Sequence, residues 1–357
     1  MAIGFLQAPY FSKPYVLTSE ARSIGVSTDA DSVAVSLTCK GETFFSVDLY
    51  AFEGVIELYD PGALVEDFFI RKDLICETVT VKFGSMTRDI TFLYCEDVMP
   101  PTFNPARDLL LSANARRVHA DSQITVAALP KDPYVPFVIK AVGHDSDGNI
   151  SSVQYANNIN LATAKYTIWS VAQIVSIVTG KNASMPIENP LADVLFFSVK
   201  NGGGMAMFYI TPSPAFLTFR FRNIFNVPEL LDVEGVMEMK SETSRENARC
   251  SGDIVQYDRR TDRTYQITTG PLPSDEVESL VQLISSHSVQ IYVDGAFYDV
   301  VIDDHTCEDS TDDESLTVIK FTWRFKGRRP VIFNSSMFGI RSRASGVFSD
   351  EYSPEYE

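Results

Sequence analysis

Histidine is scarce in this chain. The four present, His119, His144, His287 and His305, stand in no HExxH, GxSxG or triad setting. That takes the commonest general base and metal ligand out of most of the sequence. Cysteine is sparse too: Cys39, Cys76, Cys95, Cys250 and Cys307 are odd in number and include no CxxC pair, which argues against a disulfide framework or a zinc site. Cys39 and Cys95 fall in strand-like stretches and read as small buried hydrophobes. Positive charge is short, with 30 Lys and Arg against 47 Asp and Glu and a net charge of −17. Duplex DNA is held largely by counterion release from a basic face. The dense basic spots, Arg116–Arg117, Arg259–Arg260–Arg263 and Lys326–Arg328–Arg329, sit among acids and read as solvated strand ends and turns. No specific nucleic-acid partner is expected.

Long apolar runs are missing as well. The longest, IWSVAQIVSIVTG (168–180), falls short of the ~18 residues a membrane span needs and is broken by Ser and Gln. The first twenty residues, MAIGFLQAPYFSKPYVLTSE, hold no basic stretch followed by an apolar one, so neither an export signal nor a membrane partner is expected, and the product is read as soluble and cytoplasmic. A phosphate loop is absent, because NGGG (201–204) is not followed by Lys-Ser/Thr and opens no helix.

What remains is alternation. An apolar fraction of 45% with 22% charged residues belongs to a globular chain, and 357 residues imply two or three domains. Residues 1–98 read as a β-sandwich. SVAVSLTC (32–39) puts Val33, Val35, Leu37 and Cys39 on one face, FFSVDLY (44–50) does the same with Phe45, Val47 and Leu49, and TVTVKF (78–83) turns at Gly84–Ser85 into DITFLYC (89–95). In DPGALVEDFFIRKD (60–73), Asp60 before Pro61 signals a helix start, with Leu64 and Phe68 at i and i+4 predicting a helical turn or two. MPPTFNP (99–105) reads as a linker. A central β-rich domain, 99–225, carries ITVAAL (124–129), PFVIKAV (136–142), VLFFSV (194–199), MAMFYI (205–210) and FLTFRF (216–221), with NGGG as a hairpin turn.

The third domain, 226–344, is predicted as a β-sandwich with one helix over 274–286. Ser274 is placed to cap it, Asp275 and Glu276 suit its positive end, and Val277, Leu280, Val281 and Ile284 form a stripe with Leu283 at its edge. That stripe is expected to cover one side of a sheet. Val289, Ile291 and Val293 alternate up to an Asp294–Gly295 turn, Val300 and Ile302 lie on the return strand, and LTVIKFTWRF (316–325) closes the unit with Ile319, Phe321, Trp323 and Phe325 on one face. An acidic loop is read over 303–315 and an acidic tail, flexible or ordered on a neighbour, over 345–357. The fold class is therefore mainly β, built of several sandwiches.

Chemistry is thin. HDSDGNI (144–150) clusters Asp145, Asp147 and Asn149, yet no loop-closing Glu follows and the flanks are strands, so a hairpin turn is the cheaper reading than calcium. His305 and Cys307 beside Asp303 and Asp304 lack further ligands at a suitable spacing and read as a solvated loop. Paired carboxylates cannot be chosen among 47 acids, and the 24 Phe and 15 Tyr fall mostly on alternating strand faces, which makes them core. No catalytic residue, cofactor or metal is expected.

The order strand, TGPLPSDEVESLVQLISSHSVQIYV, turn, YDVVI and long closing strand LTVIKFTWRF resembles the C-terminal part of tail proteins of Bacteroides-type phages and prophages. More loosely it is similar to the helix-decorated sandwich of tail-tube and distal-tail proteins. FRNIFNVPELLDVEGVMEMK (221–240), GVIELYDPGALVEDFF (54–69) and LYC (93–95) fit the same family, while the central domain matches nothing. The resemblance implies a structural virion protein of the tail or baseplate, made in the host cytoplasm. It would assemble as a homo-oligomeric ring with other tail proteins and have no active site. An acidic lumen would repel the genome and let it slide. Two other classes stay open: a carbohydrate-binding or adhesin module using an aromatic patch or the 144–149 loop, and an enzyme of unrecognised kind.

Overall fold

The computed structural model describes residues 3–130, 135–157, 165–182, 187–212, 217–250, 253–308 and 317–327. The architecture is mainly β, in several sheets, as the strand patterning predicts. The N-terminal unit comprises β1 (Ile3–Phe5), β2 (Val16–Leu17), β3 (Ser23–Thr28), β4 (Ser32–Cys39), β5 (Glu42–Tyr50), β6 (Val55–Tyr59), α1 (Pro61–Lys72), β7 (Cys76–Phe83) and β8 (Met86–Leu93). One sheet runs β1-β3-β6, the other β2-β8-β7-β4-β5. Ile24, Val26, Ile56 and Leu58 meet Val35, Leu37, Val81 and Phe92 in one apolar cluster between them. α1 is longer than the turn or two expected. Asp60 caps it by accepting from the Ala63 amide, and Val65, Phe68 and Phe69 are buried, so tertiary burial extends a weak local signal. Gly62 lets this helix touch the short 3-10 helix Thr18–Glu20 before β3, since a Cβ there would lie 2.0 Å from the Thr18 carbonyl oxygen.

The central unit holds β9 (Ala115–His119), β10 (Gln123–Ala127), β11 (Phe137–His144), β12 (Ile150–Asn157), β13 (Tyr166–Ser170), α2 (Val171–Val178), β14 (Phe196–Asn201) and β15 (Gly204–Thr211). Five strands run β12-β11-β14-β15-β9, with β9 parallel to β15, and β10 pairs β13. The interrupted apolar run at 168–180 is a strand end passing into α2. Ser170 caps that helix through the Gln173 amide, and Val171, Ile174 and Val178 are buried. Among the described residues no helix is long and apolar enough to cross a membrane.

The C-terminal unit contains β16 (Leu217–Arg222), β17 (Pro228–Val233), β18 (Gly235–Cys250), β19 (Asp253–Thr269), α3 (Ser274–Ser285), β20 (Val289–Val293), β21 (Ala296–Glu308) and β22 (Val318–Phe325). All seven strands make one sheet, β17-β16-β20-β21-β22-β19-β18. The stretch 216–221, read above as part of the central domain, therefore gives its strand to the C-terminal sheet, because β16 pairs both β17 and β20. The cap of α3 is Pro273 and Ser274 is its first helical residue, so the serine makes no capping bond. Residues 303–308, read as loop, continue β21 alongside β22 beyond a bulge at Ile302/Asp304. The tail 345–357, with Arg328 and Arg329, lies outside the described residues.

The units are joined unequally. Leu17, Ile75, Cys76, Leu93 and Cys95 at the base of the N-terminal unit belong to the same apolar cluster as Leu110, Ile139, Phe197 and Phe208 of the central unit. The C-terminal unit has a separate cluster of Phe219, Tyr265, Leu280, Leu283, Ile291, Phe321 and Trp323. Of its described residues, Phe225 and Val227, from the loop between β16 and β17, are buried members of the first cluster, and Ile224 packs against it.

Candidate functional site

The residues weighed for chemistry do not converge. His305 stands opposite Phe321 and Cys307 opposite Ile319 on the exposed end of β21, while Asp303 pairs with Arg324 at 3.1 Å. No group of three or more His, Cys, Asp or Glu suited to a metal ion occurs among the described residues. His119, His144 and His287 meet separate carboxylates, Glu234 at 3.1 Å, Asp193 at 2.9 Å and Glu96 at 3.6 Å. Asp145 accepts from the amides of Asp147 and Asn149, which hold its carboxyl below the usual range and use it as a turn residue between β11 and β12. Cys39, Cys76 and Cys95 are buried, and burial pushes the thiols of Cys76 and Cys95 up to about 12. Thiols held protonated in this way are poor nucleophiles at neutral pH. Cys307 is exposed.

Charge does converge at the joint between the central and C-terminal units, where the sequence suggested nothing. Arg116 and Arg117 of β9, read as solvated, are both paired with carboxylates, Arg116 buried and Arg117 partly exposed. Arg116 Nη1 donates to Glu229 Oε1 at 2.6 Å, with side chains 3% and 0% exposed. Glu229 also accepts from the Ser112 amide and hydroxyl at 3.0 Å and from Asn223 Nδ2 at 2.9 Å. Arg117 grips Glu276 with two nitrogens, Nε to Oε1 at 2.8 Å and Nη2 to Oε2 at 2.6 Å, and its own amide reaches Oε1 at 2.8 Å. The hydrogen bonds to Glu276 raise the guanidinium further above its ordinary value. Asp232 accepts from Ser122 and Thr218, and burial raises its carboxyl against those bonds.

Helix α3 explains the arrangement. Glu276, Ser279 and Gln282 recur every third residue and are all buried, so the side of the helix that flanks its apolar stripe is covered by the central unit. Ser279 Oγ lies at hydrogen-bond distance, 2.9 Å, from Ser112 Oγ, and Gln282 receives the Ile224 amide and donates to the Ser112 carbonyl, both at 3.3 Å. The helix is thus gripped on two sides. A cavity of about 30 Å³ sits in this joint, lined by Arg116, Arg117, His119, Asp232, Glu234 and Glu276 among others. It has room for a water or two. Arg116 Nη2, buried, has no hydrogen-bond partner among the described residues.

The second feature is an arm. β18 and β19 pair from Gly235↔Thr269 to Cys250↔Asp253, with a bulge at Glu246/Asn247. Among the described residues a third strand backs them only where Tyr265–Thr268 pair with β22. Beyond that, for about ten residues or roughly 33 Å, no other described strand pairs with either of them. Every side chain over 238–247 is exposed, Met239 by 54%. Isolated two-stranded ribbons are marginal in water.

No protein-family model matches the chain, and no curated protein matches it. Among solved structures, the full extracellular region of plexin A4, domains 1 to 8, is similar at 10% identity with a TM-score of 0.22, covering 92% of this chain and 40% of that one. The chain spans less than half the length of that structure, and a likeness so weak bears on neither fold nor function.

Proposed function

We propose that this chain is a structural virion protein of a phage tail or baseplate, assembling as a ring through contacts with copies of itself and with other tail proteins, and that it catalyses nothing. The observation that carries the reading is the arm. A long ribbon that no other described strand backs, with every side chain over 238–247 exposed, is stabilised when its edges pair with, or lie on, a neighbour. Symmetric assembly gives every copy such a neighbour at no further design cost. The family resemblance of the third unit points the same way, and a net charge of −17 suits a surface that does not hold nucleic acid.

Light scattering after size exclusion, with negative-stain images, tests it. Discrete rings are expected from the full chain, and a folded monomer from a variant in which residues 242–262 are replaced by a short turn. Rings that survive the deletion would remove the arm from assembly. A clean monomer of the full chain with no tail protein that recruits it would favour the second reading, a carbohydrate-binding module. Tyr50, Phe52 and Tyr59, each more than 70% exposed, are the aromatics that would then be removed to abolish glycan binding.

A further inference from the structure

The N-terminal and central units share an apolar cluster, whereas the C-terminal unit closes its own and meets the central unit through ions and amides. Polar contacts of this kind are typical of domains that move relative to one another. The exception is one small plug. Phe225 stacks on Phe103 with centroids 5.4 Å apart, Asn226 Nδ2 donates to the Leu74 carbonyl at 2.9 Å, and Asn223 Nδ2 donates to the Leu110 carbonyl at 3.1 Å. Five residues, 223–227, thus tie the C-terminal unit to both others, with Thr125 bonding the adjoining Pro228 carbonyl at 2.9 Å and the pairs Arg222–Asp73 and His287–Glu96 adding contacts to the N-terminal unit.

Away from that plug the joint is ionic, and it grades outward. Arg116 and Glu229 are buried beside the plug, while Arg117 and Glu276 have side chains 36% and 11% exposed and form its rim. The cavity lies between them, so this side of the joint is not closely packed. Buried ion pairs add little net stability over apolar packing, because desolvation offsets their attraction. A joint held this way separates more readily than the cores on either side of it.

We propose that the C-terminal unit is hinged on the 223–227 plug and latched at its rim by Arg117 and Glu276, swinging as a body while all three cores stay closed. The inference stands apart from ring assembly and needs no partner.

Amide hydrogen exchange on the full chain reads the latch directly, since the Arg117 amide bonds Glu276 and the Ser112 amide bonds Glu229 across the joint. Glu276→Lys should accelerate exchange over 112–119 by at least about tenfold and leave β20, Val289–Val293, unchanged. The swap of Arg117→Glu with Glu276→Lys should bring the segment back toward its original rate. Glu276→Gln, which keeps the volume, should give a smaller acceleration of the same segment and serves if the lysine variant does not fold. Unchanged exchange over 112–119 in both Glu276 variants would overturn the latch. Acceleration of β20 in step with that segment would overturn the hinge, because it would mean that the core loosens with the joint.

Discussion

Glu229 gathers four of the joint's hydrogen bonds on one carboxylate. Its carboxylate is fully buried and accepts from Arg116, Asn223 and both the amide and hydroxyl of Ser112. Removing one member of such a set leaves the others desolvated and unpaired, and that penalty exceeds the net value of the pair. Glu229→Ala should therefore cost about 3–5 kcal/mol in urea unfolding. Arg116→Met combined with Glu229→Leu should cost less than the single change, because no charge is then left buried. A double variant as unstable as the alanine variant would mean that the loss lies in Ser112 and Asn223. None of this was legible in the sequence. Arg116 and Glu229 are 113 residues apart, and a dibasic pair at the start of a strand looks the same whether water or a carboxylate awaits it.

At the scale of the element, α3 shows how far pattern reading carries. Its existence and place follow from the 3.6-residue recurrence and the acidic first turn. Its rotation does not. The stripe centres on Leu280 and Leu283, 2% and 0% exposed, while Val281 is 43% exposed. The polar side facing the central unit turns the helix away from the orientation that a single sheet would favour. Leu283→Ala should cost about 2–5 kcal/mol and Val281→Ala well under 1, measured by thermal or urea unfolding. Equal losses would restore the stripe read from sequence alone. The strands were legible wherever one face is buried, as in β4, β7 and β22. α2 was hidden because its polar side amounts to Gln173 and Ser176 in an eight-residue helix, too short a recurrence to mark a period. The arm was missed for the opposite reason: with every side chain over 238–247 exposed, that strand has no alternation to read.

For the whole molecule, the shared cluster makes the N-terminal and central units one cooperative body. Phe197→Ala, a change within the central sheet, should lower the urea concentration at which Cys76 and Cys95 react with a thiol reagent, although both lie in or beside N-terminal strands. Thiol reactivity that ignores this change would show two bodies rather than one. The plug has a further consequence, for synthesis. Phe225 and Val227 are fixed members of the cluster that seals the base of the first unit. A ribosome making this chain therefore releases residues 1–98 well before the last pieces of their packing exist. The cluster that holds Leu17, Ile75 and Leu93 of that base is complete only once translation has passed residue 227. Chaperone demand on the nascent chain should accordingly be highest not at the end of the first unit but through the whole of the second.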